Sequence, residues 1–230
     1  MFCAKTNLIA SNFFEGFTDY HSHILPAVDD GMNSLDESLE TLNFYEQLGI
    51  VKVVLTPHIN AQQNHPKDLH AKQFAILKQH YKGKIEFNLA AEYMLDAGFE
   101  RQISEGLRYV TDRRVLVETS YAAAPNNFYE LLYAIALMGD IPLIAHPERY
   151  MYMSKRDYIK LKDKGYEYQL NILSLLGAYG KEVKRNAEYL LENNMYDFVG
   201  TDIHSLSRFR NIVDTIRIAK SQLRKIERLK

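Results

Sequence analysis

Residues 17–23 read Phe-Thr-Asp-Tyr-His-Ser-His, a short apolar run that ends directly in two histidines. Residues two apart on an extended strand share a face, so His21 and His23 present their imidazoles together. The pattern recurs along the chain. Runs at Val51 to Leu55, Ile85 to Ala90, Val115 to Val117, Ile141 to Ala145, Tyr166 to Leu170 and Tyr196 to Val199 have the length and the β-branched or aromatic content of strands. They are followed in turn by His58, Glu92, Glu118, His146, Asn171 and the pair Asp202 and His204. Six of the seven runs therefore end in a group able to ligate a metal.

Helical segments lie between the runs. Ser34-Leu-Asp-Glu37 has the form of a capping box, with Leu35, Leu39 and Leu42 following at helical spacing. Pro66 suits the first turn of a helix reaching about Tyr81. Segments 127–138, 154–164 and 181–193 are also expected to be helical, and 208–229 reads as one C-terminal helix with Ile212, Val213, Ile216, Leu223 and Ile226 on one face. Strands alternating with helices imply a parallel sheet, either open or closed into a barrel. An open sheet would spread seven strand ends along a wide edge, whereas a βα barrel gathers them at one mouth. The barrel is the preferred reading, with one domain over 1–230, an N-terminal extension over 1–16 and a C-terminal helix over 208–230.

Composition bounds the chemistry. The chain has 230 residues, 47% of them hydrophobic, with 28 basic and 29 acidic side chains and a net charge of −1. That is enough for a buried core, and the near-neutral balance argues against an extended nucleic-acid surface. A single cysteine, Cys3, excludes an intrachain disulfide or a thiolate cluster, so a metal would be held by nitrogen and oxygen. Cysteine-dependent tyrosine phosphatase chemistry needs Cys-x5-Arg, and residue 9 is Ile. No apolar stretch of about 18 residues occurs, and Met1 to Asn12 makes a poor signal peptide, which points to a cytoplasmic protein.

Each strand-end group has an ordinary reading when taken singly, such as a buried carboxylate paired with an arginine. Gathered at one mouth they do not, because buried imidazoles and carboxylates are costly unless paired or bound to metal. The set His21, His23, Asp30, His58, Glu92, Glu118, His146, Asp202 and His204 offers nine donors, which suits two or three divalent ions with bridging groups. Mixed imidazole and carboxylate ligation fits manganese, iron or zinc. Such a centre serves displacement at phosphorus, although carboxylate-bridged metal pairs also hydrolyse amides. Arg149, in His146-Pro-Glu-Arg149, and Arg208, four residues past His204, favour a phosphoryl substrate because a guanidinium matches phosphate geometry. The competing reading pairs Arg149 with Glu148 and leaves Arg208 on a basic helix.

At this point the motifs are recognisable. His21-Ser-His-Ile-Leu-Pro-Ala-Val-Asp-Asp-Gly31, Thr56-Pro-His58, Ala91-Glu92, Ala145-His-Pro-Glu-Arg149, Asn171 to Gly177 and Thr201-Asp-Ile-His204 resemble the polymerase and histidinol phosphatase (PHP) superfamily. They are most similar to its bacterial manganese-dependent tyrosine-protein phosphatases of capsule and exopolysaccharide operons. The resemblance runs in order from about residue 17 to 210. It implies a distorted seven-stranded, TIM-like (βα) barrel with a two- or three-metal centre, manganese foremost. The nine donors match the family's ligand positions, Arg149 its phosphate-binding arginine, and Arg208 a further counterpart. The implied substrate is phosphotyrosine in a protein, namely the tail of a cognate bacterial tyrosine kinase. Two alternatives remain: a small-molecule phosphatase of the histidinol-phosphate type, and a catalytically silent metal-binding regulator of the kinase. After Glu118 the better-known members carry an apolar residue and proline, where this chain has Thr119-Ser120.

The remaining features read as structure. His65, His70 and His80 are expected at the surface. Tyr121, Tyr150, Tyr152 and Tyr179 fall on mouth-side loops and read as ordinary packing. The eight basic and two acidic side chains among the last 23 residues read as a solvated helix face, with docking of an anionic partner as the sharper alternative.

Overall fold

A computed structural model of the chain describes residues 4–63 and 66–230. The expectations for Cys3 and His65 lie outside the described residues. The first half carries β1 (Lys5–Thr6), β2 (Thr18–Ser22), α1 (Leu35–Gln47), β3 (Lys52–Leu55), β4 (His58–Ile59), α2 (Pro66–His80), β5 (Glu86–Leu89), β6 (Glu92–Met94) and α3 (Phe99–Ser104). The second carries β7 (Arg114–Glu118), α4 (Phe128–Leu137), β8 (Ile141–Ala145), α5 (Lys155–Asp163), β9 (Glu167–Asn171), α6 (Ile172–Leu176), α7 (Lys181–Glu192), β10 (Phe198–Gly200), α8 (Leu206–Thr215), β11 (Ile218–Ala219) and α9 (Lys220–Ile226). All seven apolar runs carry strands.

The principal sheet is parallel and curled, with six strands in the order β10-β9-β8-β7-β6-β4. A second parallel sheet has the order β2-β3-β5. The two sheets share chain continuity. β3 and β4 flank Thr56-Pro57, where proline supplies no N–H to a ladder. Beside that interruption the Ala90 N–H donates to the Leu55 carbonyl (2.8 Å) and the Glu92 N–H to the Pro57 carbonyl (3.1 Å). At the other margin, Ser22 bridges Ile203 in parallel, the Asp202 N–H donates to the His21 carbonyl (2.8 Å), and the His23 N–H donates to the Ile203 carbonyl (3.2 Å).

Strand centres such as Val53–Leu55, Val115–Val117 and Leu143–Ala145 are buried along their whole length, as parallel strands covered on both faces must be. One large apolar cluster packs strands against helices. A smaller one gathers Val54, Ala90, Leu116 and Leu143, with Tyr20 and Phe198 packed against it. Tyr20 and Phe198, on the first long strand and the last, meet edge to face at 4.8 Å.

Local capping follows the sequence with one adjustment. The Ser34 hydroxyl accepts the Glu37 N–H (3.2 Å), but Glu37 reaches past Ser34 to accept the Asn33 N–H (2.9 Å). The expected helix over 208–229 is corrected. It ends at Thr215, and Ile218–Ala219 leaves it as β11 to pair antiparallel with Lys5–Thr6 before α9 begins. The β-branched Ile216 and Ile218 flank Arg217 with a period of two, and the N-terminal segment supplies the strand that rewards it. His70 is also corrected. It is fully buried on the inner face of α2 with Pro66 and Leu77, whereas His80 is exposed as expected. Among the described residues no helix is long and apolar enough to cross a membrane.

Candidate metal centre

The two sheets and the loops at their strand ends bring all nine expected donors together. Glu92 lies at their middle: its Oε2 is 3.2 Å from His21 Nε2, 3.4 Å from His23 Nε2 and 3.0 Å from His58 Nδ1, and its Oε1 is 3.0 Å from His146 Nε2. Glu118 Oε1 stands 3.1 Å from His58 Nδ1. Asp202 Oδ1 is 3.4 Å from His21 Nε2, His23 Nε2 and His204 Nδ1 alike. Asp30, on the exposed rim, places Oδ1 3.3 Å from His58 Nε2 and 3.4 Å from His204 Nε2. His146 and Asp202 both adopt left-handed backbone conformations, φ 34° and 50°, which turn their side chains inward at strand ends.

Partners behind the donors fix ring orientation. The Gln169 amide nitrogen is spent on the Leu170 carbonyl, so its Oε1 accepts from His21 Nδ1 (2.9 Å). The Asp29 carboxylate accepts from His23 Nδ1 (2.8 Å) and from the His58 and Gly31 N–H groups. With both Nδ1 atoms donating, neutral His21 and His23 turn two lone pairs toward each other, Nε2 to Nε2, at 3.1 Å. Two facing lone pairs require a proton or a metal between them. Among the described residues the buried His58 Nδ1 and Glu92 Oε2 also lack a hydrogen-bond partner. Donors each about 2.1 Å from one ion, at right or tetrahedral angles, stand about 3.0–3.4 Å apart, which is the spacing found here. The residues fit a metal centre. Four overlapping donor groups have ligand atoms within 4.8 Å of one another: His21/His23/Glu92, His58/Glu92/Glu118, His21/His146/Asp202 and His23/Asp30/His58/His204.

Electrostatics agrees. Burial pulls the His21 imidazole down, yet the Glu92 and Asp202 carboxylates more than offset this and hold it above its ordinary value. Burial pushes Glu92 up, but His21 and His146 hold it well below the usual carboxylate range. Burial likewise acts against Asp29, and His23 draws it down to about 2. The mouth is thus built for anionic carboxylates around positive charge.

A cavity of about 290 Å³ opens at the rim, lined by Asp30, His58, Arg149, Asp202, His204 and Arg208 among others. Arg149 Nη1 donates to Asp202 Oδ2 (2.8 Å), which also accepts from Asn171 Nδ2 (2.7 Å). Asp202 therefore gives one oxygen to the imidazoles and the other to Arg149 and Asn171. The alternative pairing of Arg149 with Glu148 is not formed: Glu148 is fully buried and accepts the Asn171 N–H (3.1 Å) and the Tyr196 hydroxyl (2.9 Å). Arg208 sits in the first turn of α8, and its Nη2 donates to the Ala178 carbonyl (3.1 Å). Tyr150 and Tyr152 pack as expected, around Thr119. Tyr121 and Tyr179 instead line the cavity.

Several residues at the site were not singled out by sequence reasoning. Asp29 was overshadowed by its neighbour Asp30. Gln169 is a polar residue in a buried strand, and that oddity was the available signal. Asp19, two residues before His21, is fully buried and accepts from the Thr201 N–H (2.9 Å), the Thr201 hydroxyl (2.6 Å) and the Tyr45 hydroxyl (3.1 Å).

The family model described as capsular polysaccharide synthesis, CpsB/CapC, matches residues 17–225. The chain belongs to this family. All nine donors and both arginines fall inside the match. Among CpsB/CapC relatives, tyrosine-protein phosphatase YwqE of Bacillus subtilis (strain 168) is 30% identical over 196 residues, covering 82% of this chain and 77% of its own. Tyrosine-protein phosphatase CpsB of Streptococcus pneumoniae is 29% identical over 202 residues, covering 82% and 83%. A solved structure from a study of YwqE and CpsB, described there as unique metal-dependent tyrosine phosphatases, superimposes with a TM-score of 0.71 at 27% identity, over 84% of this chain and 81% of the other. The phosphotriesterase homology protein of Escherichia coli shares the fold, with a TM-score of 0.52 at 12% identity over 91% of each chain.

Proposed function

We propose that this chain is a metal-dependent protein-tyrosine phosphatase, a phosphoric monoester hydrolase of capsule or exopolysaccharide synthesis. The observation that carries the proposal is the convergence of nine nitrogen and oxygen donors beside Arg149, at a mouth rimmed by Arg208. His21, His23, Asp30, His58, Glu92, Glu118, His146, Asp202 and His204 would hold two or three divalent ions, Glu92 standing among the donors of two of the four groups. The ions so held, manganese foremost and iron or zinc as alternatives, would supply an activated water and neutralise phosphoryl charge. Arg149 offers planar N–H donors to the phosphoryl oxygens, and Arg208 extends that positive charge along the rim. A phenol leaves readily because its pKa is about 10, so little help from an acid is needed.

We read the two sheets as one distorted seven-stranded (βα) barrel of the PHP type, in a single domain. The continuity of β3 with β4, the Ser22–Ile203 bridge and the Tyr20–Phe198 contact support closure. The substrate would be a phosphotyrosine-bearing protein, the tail of a cognate bacterial tyrosine kinase, met in the cytoplasm.

The test is phosphate release from a phosphotyrosine peptide by metal-stripped protein, before and after manganese is returned, with histidinol phosphate as the competing substrate. Activity on the peptide is expected to depend on the metal and to fall about 10²- to 10³-fold in Arg149→Ala. Preference for histidinol phosphate would overturn the substrate assignment. Tight binding of the phosphopeptide without phosphate release would overturn the enzyme itself.

A further inference from the structure

The two arginines at the mouth are held by aromatic rings. Arg149 Cζ lies 4.2 Å from the Tyr121 ring centroid and 4.3 Å from that of Tyr179. Arg208 Cζ lies 5.2 Å from the same Tyr179 ring. From Tyr121 the column continues to Tyr150 (6.3 Å, 28° between planes) and on to Tyr152 (5.7 Å, 20°). Its inner end is anchored: Tyr150 is fully buried with its hydroxyl accepting the Thr119 N–H (3.1 Å), and the Tyr152 hydroxyl meets Thr119 Oγ1 (2.6 Å). Arg208, Tyr179, Arg149 and Tyr121 thus alternate cation and ring from the cavity, and the Tyr150 and Tyr152 rings continue the stack.

Ring attraction to a cation strengthens as the pair is desolvated, and it restricts the swing of a long side chain. Guanidinium donors lie in one plane, so an arginine flanked by two rings keeps its edge for an anion. The charge balance also calls for one. Arg149 is matched by Asp202, which the imidazoles share, and among the described residues Arg208 has no carboxylate within ion-pair distance.

We propose that Tyr121 and Tyr179 are positioning residues, whose rings set the spacing and direction of Arg149 and Arg208 so that both meet one phosphoryl group. The proposal deepens the phosphatase reading and rests on it for the substrate, while capture of the phosphoryl anion is testable alone.

The experiment is calorimetric titration of inorganic phosphate into metal-loaded protein, for the original chain and for Tyr121→Leu, Tyr121→Phe, Tyr179→Leu and Tyr179→Phe, with metal content and Tm recorded for each. Each Leu variant is expected to bind phosphate about 3- to 30-fold more weakly, and each Phe variant to stay within about 2-fold of the original, at unchanged metal content. Leu variants that bind phosphate normally would overturn the proposal. So would a Phe variant as weak as its Leu counterpart, because the effect would then belong to a hydroxyl, such as that of Tyr179 beside Asn171 (3.3 Å). If Tyr179→Leu fails to fold, Tyr121→Leu, at a ring 42% exposed, decides the matter. Failure of the original chain to hydrolyse phosphotyrosine would sink the phosphatase reading and leave this titration standing.

Discussion

His70 provides a direct test of how burial shapes this protein. The side chain is fully buried on α2, and among the described residues neither ring nitrogen has a hydrogen-bond partner. Burial, with Arg108 and His58 adding to it and Asp29 opposing, lowers its pKa to about 4, against 6.5 for an unperturbed histidine. The group is neutral when folded and protonates more readily when unfolded, so it favours folding above pH 6.5. That contribution is lost as pH falls from 6.5 toward 4. Integrated over the window, the shift is worth about 3 kcal/mol, of which about 2 kcal/mol is gone by pH 5. His70→Leu fills similar space, removes the proton acceptor and breaks no hydrogen bond. Urea unfolding at pH 7 and pH 5, at equal metal loading, is the assay. The original chain is expected to lose about 2 kcal/mol more than the variant over that step, and the variant to be at least as stable at pH 7. Equal losses in the two proteins would refute the reasoning.

Further outcomes follow from the partners of the donors. Gln169→Leu takes the acceptor from His21 Nδ1, and metal affinity measured by chelator competition should fall about 10- to 100-fold; an unchanged affinity would mean that the ring needs no such guide. Asp19→Ala takes the acceptor from the Thr201 N–H and from two buried hydroxyls, which keep only each other at 2.7 Å, and urea unfolding should show a loss of about 2–4 kcal/mol; a loss below about 1 kcal/mol would remove Asp19 as the tie between β2 and the Thr201-Asp202 turn.

The strands were legible because their signal is local: apolar, β-branched runs bounded by polar residues, all but one followed by an imidazole or carboxylate. Features that depend on distant partners were not. Ile218 leaves the helical pattern because Thr6 waits beside it, 212 positions earlier in the chain, and no periodicity within 208–229 carries that information. His70 suits a surface or a core equally by type, and only the inward face of α2 decides. At the site, ligand-type residues announce themselves by chemistry, and the fold gathers all nine expected donors in one place. Asp29 and Gln169 act by orienting a neighbour's ring, and a residue that serves another side chain leaves little trace in spacing. Tyr121 and Tyr179, some sixty positions apart, looked like packing until the cavity placed both on Arg149.

The clasp between Asp19 and Thr201 joins positions 182 residues apart, and the Asp202 N–H bonds to His21 beside it. During synthesis, therefore, His21 and His23 emerge early and wait for almost the whole chain before Asp202 and His204 can reach them. No nascent fragment ending short of that turn contains the full donor set. Metal held by the finished mouth would act as a late staple between the first long strand and the last, tying the two ends of the fold together.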